Sequence, residues 1–257
     1  MFNVTPIPAF NDNYIWAISL PEQNAVAVVD PGDAQPVLDY LKSNNLSLCA
    51  ILITHHHNDH TGGVSKLTES FDVPVYGPAN SPFKGITHPL SKGDKIDLLG
   101  KTLTINEIPG HTLDHISYYT GENEPQLFCG DTLFLAGCGR LFEGTAAQML
   151  EAMDYFAEMP DNTEVYCTHE YSLANLDFAV AVEPNNNEIK ATVEQCKALR
   201  ADDQPTLPST IGQEKQINPF MRTHHADVIQ AANNFSGSTL ENKVAIFASI
   251  REWKNQF

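Results

Sequence analysis

The stretch THHHNDHTGG, residues 54–63, decides the fold class and the chemistry that this sequence supports. It follows the apolar run at residues 49–53, whose length and composition predict a buried β-strand. Its polar side chains therefore emerge at the carboxyl end of that strand, where open α/β sheets bind their ligands. His55 and His57 are two residues apart, and an extended segment directs both imidazoles to the same side. The spacing of these two histidines predicts that both bind the same metal ion.

The remainder of this stretch changes direction. Asp59 and His60 begin the turn towards the next helix, so we expect their side chains to serve a second metal ion. Gly62 and Gly63 follow them and allow a tight turn without a side-chain clash. His56 alternates away from its neighbours, and we predict a structural role for it.

Three further residues with metal-binding side chains each follow a separate apolar run, namely His111, Asp131 and His169. If those runs are neighbouring strands of one sheet, all seven candidates meet at one edge. Imidazole and carboxylate without thiolate favour Zn²⁺, with Fe and Mn²⁺ as alternatives. Seven ligands exceed what one tetrahedral ion takes, so we predict two divalent metal ions per chain. The predicted ligands are His55, His57 and His111 for one ion, Asp59, His60 and His169 for the other, and Asp131 as the bridge.

Composition and charge narrow the class of protein. The 257 residues include 15 Lys and Arg against 32 Asp and Glu, and the formal charge is -17. This balance argues against nucleic acid or a membrane surface as partner, and an anionic ligand needs a local group of cations. The start of the chain lacks a basic segment followed by a long apolar run, so a secretory signal is not expected. Five cysteines without a CxxC pair favour reduced thiols, and we predict a cytoplasmic protein.

Strand-like and helical patterns alternate through the first two thirds of the chain, which indicates an α/β fold with both sheet faces covered. Asp33 and Thr145 are predicted N-caps. After this part, runs rich in Ala, Leu, Glu, Lys and Gln predict a small helical domain, and residues 204–220 are predicted to be a connector within it. We place the domains at 1–172 and 173–257. The predicted strands are 14–20, 25–29, 49–53, 73–76, 102–108, 125–129 and 164–168, and the predicted helices are 34–44, 64–71, 145–159, 173–182, 188–200, 226–233 and 241–254.

Several motifs carry a resemblance to a known family. THHHNDHTGG, PGHT, CGDTLF and THEY resemble motifs of the metallo-β-lactamase superfamily, and GCGRLFEGT, NPFMR and REWKNQF are similar to the hydroxyacylglutathione hydrolase (glyoxalase II) family. The resemblance covers essentially the whole chain. It implies an αββα sandwich followed by a small all-helical C-terminal domain. It also implies that a binuclear centre cleaves S-D-lactoylglutathione, and related 2-hydroxyacylglutathiones, to glutathione and D-lactate in methylglyoxal detoxification.

The expected mechanism uses a hydroxide that bridges two metal ions, because two ions roughly 3.5–4 Å apart activate water at neutral pH. Asp131 is the predicted bridge, and Asp59 is predicted to orient the hydroxide or to accept its proton. Both aspartates are therefore the candidate catalytic residues. The thiolate of glutathione is a good leaving group, so a strong general acid is not required.

Glutathione carries two carboxylates, so its binding requires local cations. Arg140 is the one cation between residues 101 and 190 and lies nine residues after Asp131. Arg251 and Lys254 are spaced three apart on a predicted helix and can bind one carboxylate together; the resemblance implies the glycine carboxylate. It also implies substrate contacts for Tyr171 and Asn175. Phe142 stands where some family members have a tyrosine, and its missing hydroxyl predicts a weaker hold on glutathione.

Two other interpretations remain open at the level of sequence. In the first, the protein is another binuclear hydrolase of the superfamily, acting on an ester, lactone, lactam or phosphodiester. In the second, it is not an enzyme, and metal ions bound by the histidines only stabilise the fold. We predict a monomer with a small-molecule substrate. His115 is not assigned to the metal centre, and three histidines are predicted to be surface residues, namely His88, His224 and His225.

Overall fold

The computed structural model describes residues 1–121 and 123–257. The chain is divided into two compact units, each assembled from two segments. The first unit contains Met1–Ile108 and Asp114–Gly130, and the second contains Pro109–Leu113 and Asp131–Phe257. The domain boundary at 172/173 is a separate question and stays a prediction.

The first sheet of the first unit has the strand order β1-β2-β3-β4-β5-β6. The pairs β1/β2 and β2/β3 are antiparallel, and the pairs from β3 to β6 are parallel. The parallel strands require crossover connections, which explains the helices between them. The strands are β1 (Asn3–Ala9), β2 (Asn13–Ser19), β3 (Ala25–Val29), β4 (Ser47–Leu52), β5 (Val75–Pro78) and β6 (His88–Leu90).

Two helices cover one face of this sheet. Helix α1 (Ala34–Asn44) is capped by the side chain of Asp33, which accepts a hydrogen bond from the Gln35 backbone, as predicted. A short helix α2 (Asn58–Thr61) precedes α3 (Val64–Ser70). Apolar residues of α1 and α3 form one buried cluster with alternate residues of β1 to β5. The intervening residues of β2 are also buried, so this strand is covered on both faces.

The second sheet of this unit covers the opposite face of the first. Its antiparallel strands are β7 (Lys95–Leu98), β8 (Lys101–Glu107), β9 (Ile116–Thr120) and β10 (Gln126–Gly130). The fully buried Tyr118 of β9 donates a hydrogen bond of 2.8 Å to the carbonyl oxygen of Ile53. The Ile116 amide also donates to the Thr54 carbonyl oxygen at 2.9 Å, so β9 holds the segment that follows β4.

The second unit contains a short hairpin, a two-stranded pair and the remaining helices. The hairpin is β11 (Leu133–Phe134) with β12 (Gly137–Cys138), and β13 (Glu164–Cys167) pairs with β14 (Ser209–Thr210). The predicted cap Thr145 forms a capping box with Gln148. The helices are α4 (Ala146–Ala157), α5 (Ser172–Val182), α6 (Asn187–Ala201), α7 (Ile211–Ile217), α8 (Ala226–Ser236) and α9 (Lys243–Gln256).

All strands and helices predicted from the sequence are present, with ends displaced by at most three residues. The prediction of a connector at residues 204–220 was wrong, because β14 and α7 lie within it. His88, predicted to be a surface residue, lies on β6 and is exposed. No helix in the described part of the chain combines the length and the apolarity needed to cross a membrane.

Candidate metal centre

The first unit brings four predicted ligands together at the carboxyl end of β4. His55 and His60 are fully buried. The Nε2 atom of His55 lies 3.1 Å from Nδ1 of His57, and Nε2 of His60 lies 3.4 Å from Oδ2 of Asp59. These contacts make one histidine pair and one histidine–aspartate pair; the division of the ligands between two ions stays a prediction.

A buried carboxylate that the sequence analysis did not select holds these ligands in place. Asp30 accepts hydrogen bonds from the backbone and hydroxyl of Thr54, at 2.8 and 2.7 Å. Its Oδ2 also lies 3.0 Å from Nδ1 of His60. A partner on one ring nitrogen fixes the orientation of an imidazole and directs the other nitrogen towards a metal. Asp30 directly follows β3 and precedes Pro31.

Asp59 is positioned by two neighbours of the same unit. Asn13 donates a hydrogen bond of 3.1 Å to its Oδ2. Gly32 lies so close to the Asp59 backbone that a Cβ atom there would be 1.8 Å from the carbonyl oxygen. A side chain at position 32 would therefore displace Asp59, and glycine is required for this close approach.

The other histidines of this region have structural contacts. Nδ1 of His56 lies 2.9 Å from Oδ1 of Asp114, which agrees with the structural role predicted for it. The ring of His115 is fully buried and stacks on His55, with 4.5 Å between the ring centroids. His115 therefore supports the His55 imidazole from behind.

The second unit brings its three predicted ligands together around one carboxylate oxygen. Oδ2 of Asp131 lies 3.5 Å from Nε2 of His111 and 3.2 Å from Nε2 of His169. The Nδ1 atom of His111 faces the carbonyl oxygen of Arg140 at 2.8 Å. Gly139 has no room for a side chain, since a Cβ atom would be 2.0 Å from the Asp131 carbonyl oxygen. One aspartate oxygen thus contacts both imidazoles, and its role as a bridge between two ions stays a prediction.

The distances within each unit fit a metal site. Two ligand atoms bound to one tetrahedral ion at about 2.0–2.1 Å are separated by about 3.3 Å. The four ligand contacts described above range from 3.1 to 3.5 Å. Hydrogen-bonded second nitrogens, as on His60 and His111, are typical of metal-binding histidines. The His and Asp clusters therefore fit a binuclear metal site by the chemistry and spacing of their donors.

The predicted substrate residues of the second unit lie in different environments. The ring of Tyr171 stacks on His169 at 4.6 Å and is 38% exposed. Phe142 is exposed and packs its ring edge against His111 at 5.3 Å, while Arg140 is exposed. Asn175 is buried, and its amide donates a hydrogen bond of 3.1 Å to the carbonyl oxygen of Leu135. Asn175 therefore also holds the β11–β12 hairpin.

Arg251 and Lys254 lie on α9, as predicted, but neither is a freely solvated side chain. Nη1 of Arg251 donates a hydrogen bond of 2.7 Å to the Cys138 carbonyl oxygen, and its guanidinium lies over the ring of Phe220. Nε of Arg251 is buried and has no hydrogen-bond partner within the described residues. Nζ of Lys254 donates to the Ala174 carbonyl oxygen at 2.8 Å.

The chain matches two family models in succession. Residues 12–169 match the metallo-beta-lactamase superfamily, and residues 170–257 match the hydroxyacylglutathione hydrolase C-terminus. A protein of Hahella chejuensis named hydroxyacylglutathione hydrolase is 52% identical over 258 residues, which cover 100% of both chains.

Solved structures share the fold at lower identity. ETHE1 from Myxococcus xanthus superposes with a TM-score of 0.65 at 21% identity, over 99% of this chain and 98% of the other. TTHA1623, crystallised in a di-iron-bound form, gives a TM-score of 0.61 at 23% identity, over 84% of this chain and 99% of the other. The predicted α/β sandwich with a helical C-terminal region is thereby confirmed.

Fold and ligand clusters define this chain as a hydrolase of the metallo-β-lactamase superfamily. Its relatives that are 52% and 49% identical over the full chain are named hydroxyacylglutathione hydrolases, which narrows the class of hydrolase. The chain belongs to the hydroxyacylglutathione hydrolase family, as the resemblance indicated.

Proposed function

We propose that this protein is a glyoxalase II, which hydrolyses S-D-lactoylglutathione and related 2-hydroxyacylglutathiones to glutathione and D-lactate in methylglyoxal detoxification. The observation that carries the proposal is the contact of one Asp131 oxygen with both His111 and His169. A bridging carboxylate is the element that a two-ion hydrolytic site needs. The thioester substrate is inferred from full-length relatives that are named hydroxyacylglutathione hydrolase.

The metal ions are assigned to the seven predicted ligands. We propose His55, His57 and His111 for one ion, Asp59, His60 and His169 for the other, and Asp131 for both. Two bound divalent ions, Zn²⁺ being favoured over Fe and Mn²⁺, would supply Lewis acidity that lowers the pKa of a coordinated water and stabilises a developing oxyanion. Asp30 and Asn13 fix His60 and Asp59, so that Asp59 orients the attacking water or accepts its proton.

Cations of the second unit are proposed to bind the carboxylates of glutathione. The buried Nε–H of Arg251 can donate a hydrogen bond to a carboxylate, and Lys254 lies one helical turn further along α9. Arg140 is exposed and adjoins the segment that orients His111. Tyr171, stacked on His169, places its hydroxyl for a contact with the peptide part of the substrate. The net charge of -17 makes such local cations necessary.

The direct test measures hydrolysis of S-D-lactoylglutathione by purified protein together with its metal content. Two ions per chain and loss of thioester absorbance would support the proposal. A protein that binds two ions but hydrolyses only a simple ester, a lactone or a lactam would be another hydrolase of the superfamily. A monomer, a cytoplasmic location and a domain boundary at 172/173 are further parts of the proposal.

Changing Phe142 to tyrosine is expected to lower KM for the glutathione thioester by about fivefold, since one added hydrogen bond contributes about 1 kcal/mol. The ring is exposed and touches His111, so a hydroxyl can reach substrate without repacking. Steady-state kinetics measures the effect, and kcat should stay within about twofold. The matched control is Phe10→Tyr, an exposed phenylalanine in the turn after β1. An unchanged KM in Phe142→Tyr contradicts the prediction.

The KM for the thioester is expected to rise above pH 8. Burial, and then the charge of Arg251, lowers the pKa of Lys254 to about 8; Arg140 adds to the shift, and Asp177 and Cys138 oppose it. Lys254 is therefore cationic below this pH and becomes neutral above it, which removes one partner of the carboxylate. Kinetics from pH 7 to about 9.5, across the titration of this lysine, measures the rise.

The control for this pH dependence is Lys254→Arg, because a guanidinium stays protonated over the whole range. The rise in KM should be absent in this variant. If wild type and Lys254→Arg show the same rise, another group titrates and the assignment to Lys254 is wrong.

A further inference from the structure

The segment from Asp131 to Arg140 connects two parts of the proposed metal centre. It begins with the bridging carboxylate and ends with the carbonyl oxygen that faces Nδ1 of His111 at 2.8 Å. Between these ends the chain forms the β11–β12 hairpin, and Gly139 closes it by donating to the Thr132 carbonyl oxygen at 3.1 Å. The shape of this hairpin therefore sets the position of Asp131 relative to the Arg140 carbonyl oxygen, which orients His111.

The hairpin is too short to satisfy its own backbone groups. Two-residue strands leave the carbonyl oxygens and the amide at the turn without ladder partners, and burial makes such groups costly. Ala136 at the turn also has a left-handed backbone, with φ of 53°, which favours glycine. Something outside the hairpin has to hold this conformation.

Side chains of the C-terminal helical region supply the missing partners. Oε2 of Glu214 accepts a hydrogen bond of 2.9 Å from the Ala136 amide. Nδ2 of Asn218 lies 3.2 Å from the Phe134 carbonyl oxygen and 2.9 Å from that of Gly137. Asn175 and Arg251 donate to the neighbouring carbonyl oxygens of Leu135 and Cys138.

Glu214 and Asn218 form one fixed unit. Both are fully buried, and Nδ2 of Asn218 lies 2.9 Å from Oε2 of Glu214. The segment after Asn218 is anchored by Arg222, whose Nε and Nη2 donate to the buried Glu183 carboxylate at 2.8 and 2.9 Å. The hydrogen bond between Glu214 and Asn218 and the anchored segment after Asn218 therefore fix the positions of both side chains against the hairpin.

We propose that Glu214 and Asn218 are positioning residues of the metal centre: by holding the β11–β12 hairpin, they set Asp131 and the carbonyl oxygen that orients His111. The inference rests on the proposed function in one respect only, namely that Asp131 and His111 are metal ligands. Glu214 and Asn218 contact the backbone of the hairpin and each other. Their effect is transmitted through the backbone of the 131–140 segment.

The test compares two variants of one position. Glu214→Leu removes the acceptor, whereas Glu214→Gln keeps a carbonyl oxygen for both hydrogen bonds. Burial raises the pKa of Glu214 to about 7, so a neutral side chain is compatible with this site. Apoproteins are prepared with a chelator and titrated with Co²⁺, and competition with a chromogenic chelator gives the affinity of both sites.

We expect Glu214→Leu to lose at least about tenfold in metal affinity, the size of effect known for groups that orient ligands, and Glu214→Gln to restore it. Exchange of the Ala136 amide should be faster in the leucine variant of the apoprotein. Val228→Ala, which removes buried methyl groups from α8, is the matched control for general destabilisation. It should lower the melting temperature without changing metal affinity.

Three results would overturn the inference. These are wild-type metal affinity in a folded Glu214→Leu, an equal loss in Val228→Ala, and no recovery in Glu214→Gln. If Glu214→Leu does not fold, Asn218→Ser takes its place, and failure of both to fold assigns the pair a purely structural role. A wild-type protein that binds two ions without cleaving the thioester would refute the proposed function and leave this comparison intact.

Discussion

Replacing Asp131 with alanine is expected to lower kcat/KM for S-D-lactoylglutathione by at least about 10³-fold, which corresponds to about 4 kcal/mol of transition-state stabilisation. One oxygen of this carboxylate contacts His111 and His169, so its removal separates both imidazoles from their shared partner. Metal analysis should show fewer than two ions per chain. Loss of activity together with loss of metal would place Asp131 at the bridge.

The matched control for this change is Asp154→Ala. Asp154 is an exposed aspartate of α4 that pairs with Lys243, and an exposed pair of this kind contributes little to stability. Its activity and metal content should equal those of wild type. An Asp131→Ala protein with two tightly bound ions and normal turnover would rule out the bridging role.

The second large effect is expected at the C-terminal helix. Removing both cations, in Arg251→Ala/Lys254→Ala, should raise KM for the glutathione thioester by about 100-fold, because each charge-assisted hydrogen bond contributes about 1.5 kcal/mol or more. Lys254→Ala alone should raise it by about tenfold. The turnover number should change less, since these side chains are proposed to bind the peptide part of the substrate and not the thioester.

Lys254→Ala is the cleaner of the two tests. Arg251 also holds the Cys138 carbonyl oxygen, so its loss disturbs the hairpin as well as the carboxylate site. Lys243→Ala, at the exposed first turn of the same helix, is the matched control and should leave KM unchanged. A KM equal to wild type in the double variant would favour a hydrolase that acts on another ester, lactone or lactam.

Local pattern was sufficient for most elements of the fold. Helix α1 was predicted with its ends and its Asp33 cap, because apolar spacing and capping are properties of neighbouring residues. The strands β1, β6, β7, β11, β12 and β14 were missed. They have two to four residues or, in β1, carry two prolines, so their local pattern is weak even where the partner strand follows within a few residues, as for β1 with β2 and β7 with β8. The α7 helix was hidden in a segment whose proline and glycine suggested a connector.

The proposed metal ligands were selected from the sequence for a related reason. Each follows an apolar run, so chain direction alone placed it at a strand end, and its chemistry identified it. Asp30 was not predictable in this way, because its partners Thr54 and His60 are 24 and 30 residues away. Glu214 and Asn218 were equally hidden, since their contacts to the hairpin span 78 to 84 residues.

Residue patterns alone were therefore enough to predict the class of fold and the family to which the chain belongs, and to propose the metal ligands. These follow from residue type and from spacing over a few positions. Only the tertiary structure decided which buried polar groups hold those ligands in place, such as Asp30 behind His60 and Asn218 behind the hairpin. A buried polar atom must find a partner wherever the folded chain offers one, and distant segments become neighbours only after folding.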